Sequence, residues 1–166
     1  MIPFTERAEY KKGMIGEVIV DAHLRAKGFI PYFPSFDGAH PFDRLVARAD
    51  GERLIIVEVK SKQCRDNYPD TGIDIRHYQK YRRISQRYKI HVFLAFVDDV
   101  EKKIYGATLA HLKKPRENIK NSPWSYPDQF KGIVYFPREC MKTIAKLSDD
   151  QCITLRDLRT SNHISQ

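Results

Sequence analysis

Apolar positions recur along this chain in two rhythms, and their alternation outlines an α/β architecture. Ile15, Val18, Ile19, Ala22 and Ala26 follow helical spacing and predict a buried stripe on a helix that ends near Lys27, with Gly28 as its stop signal. Gly13 and Gly16 weaken the first half of that helix, so the pattern leaves its start open. An extended piece at 29–33 and a loop rich in Pro, Gly and Ser come next. Two strands are then predicted, 42–48 and 53–60, joined by the turn Ala49-Asp50-Gly51-Glu52 with Asp-Gly at its centre. The run Leu54-Ile55-Ile56-Val57 has no polar break, as in a central strand covered on both faces. After a polar loop, Asp74 is placed to cap a helix over 75–89, followed by strands at 91–97 and 104–109. A helix joining two strands predicts a parallel, right-handed crossover. Residues 113–129 read as a long loop and 132–136 as a further strand. Ser148-Asp149-Asp150-Gln151 has capping-box form and opens a short closing helix.

Length and charge narrow the picture. A chain of 166 residues fits one compact domain, with a core at about 8–110 and an extension over 111–166. Its formal net charge of +8 suits a polyanionic partner, because each Lys or Arg meeting a phosphate releases a counterion, although charge alone also serves solubility. Cys64, Cys140 and Cys152 are odd in number and lack C-x-x-C spacing, which fits a reducing compartment. The first residues lack the apolar core of a signal peptide, and no apolar run is long enough to span a bilayer. A soluble cytoplasmic protein is therefore expected. No Gly-rich phosphate loop is present, so no nucleotide cofactor is expected either.

The candidate chemistry sits in Val57-Glu58-Val59-Lys60. Side chains alternate along a strand, so Glu58 and Lys60 share one face while Val57 and Val59 share the other. Counting back across Asp50-Gly51 places Asp43 opposite the Glu58–Lys60 end of the hairpin. A bare Glu-x-Lys is common and can be a solvated ion pair; the opposed Asp, the apolar strand before it and the basic helix after it favour catalysis. Carboxylate oxygens suit magnesium, and a lysine beside them can stabilise an anionic transition state. Together these residues resemble the PD-(D/E)XK nuclease superfamily, and within it Holliday-junction resolvases and related phage or archaeal nucleases. The resemblance covers roughly the first hundred residues. It rests on Gly16-Glu17-Val18, Leu24 and Gly28-Phe29 in the first helix, on Asp43, and on Glu58-Val59-Lys60 followed by Ser61. Phe42 stands between Pro41 and Asp43, so the literal Pro-Asp dipeptide is absent.

The resemblance implies a restriction-endonuclease-like αβββαβ core, with a mixed central sheet flanked by helices. It implies catalysis by Glu17, Asp43, Glu58 and Lys60, and metal ligation by Asp43, Glu58 and the Val59 carbonyl. Mg2+ would be the ion, Mn2+ a substitute, DNA the substrate, and a homodimer the assembly by analogy with resolvases. From its residue type alone, Glu17 reads as a solvated acidic flank, and Asp21 as surface. A restriction-type nuclease, or a DNA-binding module on the same fold without catalysis, remain as alternatives.

The second helix carries no acidic residue, and Arg76, Lys80, Arg83 and Arg87 share one of its faces. Such a row repels itself, which favours contact with a DNA backbone; Lys62 can join it. Tyr78, Tyr81, Ile84 and Tyr88 form the face expected to pack on the sheet. Lys113-Lys114-Pro115-Arg116 and the loop around Trp124 can meet DNA or a second subunit, while His40, His77 and His111 read as structural or surface residues.

Overall fold

The computed structural model describes residues 3–34, 40–65, 68–112 and 132–160. The elements follow the order α1 (Ala8–Ala26), β1 (Phe29–Tyr32), β2 (Arg44–Arg48), β3 (Leu54–Ser61), β4 (Asp70–Asp74), α2 (Ile75–Tyr88), β5 (His91–Asp98), β6 (Lys103–Thr108), β7 (Ile133–Pro137), β8 (Lys142–Lys146) and α3 (Asp149–Thr160). Six strands form the main sheet in the order β1-β2-β3-β5-β6-β8, and β4 pairs with β7 in a separate two-stranded sheet. The main sheet is mixed: β3 and β5 run parallel across the α2 connection, and every other neighbouring pair is antiparallel.

Alternation along β3 sorts the core into two layers. Val57 and Val59 face α1 and α3, packing with Ile19, Val20, Cys152 and Leu155. Ile56 faces α2 and the small sheet, packing with Tyr78, Tyr81, Ile73 and Phe136. Burying large apolar side chains on both faces at ~25 cal/mol per Å2 makes β3 and β5 the centre of the molecule. Among the described residues no helix is long and apolar enough to cross a membrane.

Several expectations are met in detail. Gly28, at φ +78°, follows α1 in the left-handed region that a stop glycine supplies. The Arg76 N–H donates to Asp74 Oδ1 at 2.7 Å, capping α2. Ser148 and Gln151 exchange the two reciprocal bonds of a capping box, at 2.9 and 3.2 Å.

The buried stripe of α1 differs from the expected one. Val18 is 63% exposed, and Ala22 and Ala26 also face solvent. The buried positions are Ala8, Lys12, Gly16, Ile19, Val20 and Asp21. Two of these are charged, and each has a partner: Lys12 Nζ meets the fully buried Asp99 at 2.9 Å, and Asp21 meets Arg44. These pairs fasten α1 to the β5–β6 turn and to the start of β2. Tyr88 is also corrected: it is 65% exposed and packs on nothing in the core. β4 and β8 were not foreseen, and β7 joins β4 rather than the main sheet. The stretch 113–129, with Trp124, lies outside the described residues.

Candidate active site

The site forms where β3 outruns β2. Their ladder closes with Arg44 opposite Val57, which leaves residues 58–61 of β3 without a strand on that side. Continuing the register sets Asp43 opposite Glu58, on the same sheet face. Asp43 then takes over as hydrogen-bond partner: the Val59 N–H donates to Asp43 Oδ2 at 2.7 Å. In extended backbone, the N–H and C=O of one residue point to the same side of the strand. The Val59 carbonyl therefore also points into the gap beside Asp43.

Glu58 is 2% exposed, with Lys60 Nζ paired to its Oε1. Its Oε2 is buried and has no hydrogen-bond partner among the described residues. An unpaired buried carboxylate oxygen costs free energy and usually marks the place of a missing partner. Tyr81, on the sheet-facing side of α2, approaches the same carboxylate, and burial followed by the charge of Glu58 pushes its phenol well above the ordinary range. Burial, then the Glu58 charge, pushes Asp43 up to about 7, against the opposing pull of Lys60 and the Val59 N–H. For Lys60, burial acts to lower the pKa, but Glu58 and Asp43 outweigh it and hold the ammonium above its usual value. Lys60 is therefore a permanent cation at neutral pH: a donor and not a base.

Glu17 reaches this place from α1. It lines a cleft of about 340 Å3 together with Tyr10, Asp43, Val59, Lys60 and Lys62. Its carboxylate is bound by Arg44 at 2.9 Å, and burial nevertheless raises its pKa. α1 can lie this close because residue 16 is glycine: a Cβ there would collide with Ser61 Oγ.

Arg44 organises the junction. Its Nε and Nη2 bind Asp21 at 2.9–3.0 Å, its Nη1 donates to the Asp43 carbonyl at 2.7 Å, and the guanidinium lies 4.1 Å over the Phe33 ring. Asp21 is thus a buried anchor, not the surface residue expected. Neither Arg44 nor Tyr81 stood out as a site residue in the sequence. The signal for Arg44 was a charged residue at an inward position of an apolar strand, immediately after Asp43.

Among the described residues no group of three or more His, Cys, Asp or Glu is arranged to hold a metal. The donors that converge are two carboxylates and a main-chain carbonyl. This all-oxygen set fits a hard cation such as magnesium, which completes its shell with water, and the unpaired Oε2 of Glu58 is the observation that supports the fit.

The basic face of α2 is exposed at Arg76, Arg83 and Arg87. Arg76 differs from the others because its guanidinium is paired with Asp74 at 3.1 Å. Lys80 Nζ lies 3.5 Å from the His40 carbonyl, which carries the stripe toward the segment before Asp43. Lys62 is half-buried beside Gly72, and burial, then Arg65, lowers its pKa. His77, one turn before Tyr81, has its pKa lowered first by burial and then by the charge of Lys60, which places it near the site.

No family model matches the chain, and no curated protein matches it. Solved structures do match. One is Hjc, a Holliday junction resolvase from the archaeal hyperthermophile Archaeoglobus fulgidus, with a TM-score of 0.52 at 11% identity over 77% of this chain and 90% of that one. Another is D212, a nuclease from a fusselovirus, with a TM-score of 0.53 at 14% identity over 98% of both chains. The chain shares the fold of these two proteins.

Proposed function

We propose that this chain is a magnesium-dependent endodeoxyribonuclease that hydrolyses DNA phosphodiester bonds, in recombination or repair. The observation that carries the reading is the convergence of Asp43, Glu58 and Lys60 on one face at the open end of β3, with a buried Glu58 oxygen left unpaired. The likeness to a resolvase and a viral nuclease supports nucleic acid as the substrate.

In this reading Asp43, Glu58 and the Val59 carbonyl hold the ion. Magnesium, when bound, supplies positive charge against the reacting phosphate and acidifies a water. Lys60 releases Glu58 and donates to a non-bridging phosphate oxygen, where negative charge grows as water adds to phosphorus and the ester bond breaks. Glu17 faces the cleft, where its carboxylate orients the attacking water. Arg44 acts through the others, fixing the Asp43 backbone and the Glu17 carboxylate. Lys62, Lys80, Arg83 and Arg87 meet the flanking phosphates, with Arg76 contributing less because Asp74 already holds it.

A cleavage assay on linear duplex, flapped and four-way DNA tests the reading. Strand scission with magnesium or manganese, lost with a chelator, is the expected result. Binding without scission on every substrate would leave a DNA-binding module.

A further inference from the structure

Beside the cleft stands a group of side chains that the proposed chemistry does not use. We infer that Arg65, Tyr68 and Tyr135 form a stacking subsite for an unpaired DNA base, next to the phosphate that Lys60 would engage. The inference rests on the nuclease reading above and adds a preference for DNA that carries an unpaired nucleotide.

The chain leads directly from one place to the other. Lys60 ends the acidic cluster, and Lys62, about 7 Å further at the rise of an extended strand, still lines the cleft. Lys62 Nζ lies 3.4 Å from the Gly72 carbonyl and 6.0 Å from the centre of the Tyr135 ring. Gly72 and Tyr135 are paired in register across β4 and β7. The Arg65 guanidinium then lies over two rings at once, 3.9 Å from the centre of Tyr135 and 4.3 Å from that of Tyr68.

This stack is held rigidly. Asp70 is fully buried and accepts from Arg65 Nε and Nη2 at 2.6 and 2.5 Å, a bidentate grip on a planar cation. An Arg–Asp pair suffices to brace the loop, and it does not call for an aromatic ring at the surface. Yet Tyr68 is 44% exposed. Fixed aromatic faces interleaved with Arg and Lys are the combination that binds single strands, because every base has a π-face and every nucleotide a phosphate. In a duplex the base faces are covered by stacking, so this platform engages only a base that has left its pair. The α2 stripe, by contrast, can follow an intact backbone.

The test compares the full chain with Tyr68→Leu and Tyr68→Trp in chelator, so that no cleavage intervenes. Anisotropy is read on a labelled paired duplex and on the same duplex with a short single-stranded flap. Tyr68→Leu is expected to weaken flap binding about tenfold to a hundredfold, with duplex binding unchanged and Tyr68→Trp close to wild type. A 2-aminopurine in the flap should be quenched on binding wild type and not Tyr68→Leu. Equal losses on both DNAs, or no loss on either, would overturn the subsite while leaving the nuclease reading intact. A wild-type protein that binds neither DNA would overturn both.

Discussion

Replacing Asp43 with Asn should make the metal-free protein more stable at alkaline pH, although it removes a residue at the centre of the site. Asp43 is held next to Glu58 and pushed up to about 7, whereas an unfolded chain releases that proton near 3.8. The carboxyl is thus of the raised kind. Below about pH 4 both states hold the proton and ionisation costs nothing. Between about 4 and about 7 the folded protein keeps a proton that the unfolded chain has released, so stability falls as pH rises; above about 7 the loss is complete. A shift of this size has a ceiling of about 4 kcal/mol. Asp43 and Glu58 share the burden of being ionised together, so the expected gain for Asp43→Asn at pH 8.5 is about 1–3 kcal/mol. That corresponds to a rise in Tm of about 3–10 °C for a chain of this size. The Asn carbonyl can still accept the Val59 N–H, so the backbone contact survives. Thermal unfolding in chelator at pH 5 and pH 8.5 reads the effect: the variant should gain most at pH 8.5 and little at pH 5. Adding magnesium should stabilise wild type and not the variant. A variant less stable than wild type at pH 8.5 would show that Asp43 is not strained by its neighbours.

Further outcomes follow from the same geometry. Arg44→Met leaves Asp21 buried and unpaired, and should lower stability by about 3–5 kcal/mol in denaturant unfolding; Asp21→Asn with Arg44→Met should recover part of that loss, and no recovery would refute the pairing account. Gly16→Val should destabilise by about 1–3 kcal/mol and impair cleavage, because a Cβ meets Ser61 Oγ and pushes α1 from the site; unchanged unfolding would show that α1 yields freely. Neutralising Lys80, Arg83 and Arg87 together should weaken duplex binding and flatten its salt dependence by about one unit of slope for each phosphate no longer neutralised; an unchanged slope would mark the stripe as merely solvated.

Local chemistry was legible in the sequence where one short segment contained its own cause. The Asp50-Gly51 turn brings Asp43 opposite Glu58 in the register, and Asp74, Ser148 and Gln151 act as caps because their partners lie two or three residues away. Features resting on distant partners were not legible. The α1 stripe was misphased because Lys12 and Asp21 read as polar surface; their partners, Asp99 and Arg44, lie 87 and 23 residues away. Gly16 read as a helix weakener, whereas its role is to give Ser61 room. β4 was hidden because Asp70-Thr71-Gly72 has no strand pattern and pairs with β7, more than fifty residues on. Tyr81 was read as packing alone, since its approach to Glu58 depends on how α2 crosses the sheet.

The account turns on Lys60 as a charge that acts on one reacting phosphate. The most direct measurement therefore sets cleavage against binding for Lys60→Ala on the same flapped or four-way DNA with magnesium. Cleavage should fall to background while the dissociation constant stays close to wild type, because the basic face of α2 still holds the backbone. Wild-type cleavage by Lys60→Ala, or parallel loss of binding and cleavage, would contradict the catalytic reading of the cluster.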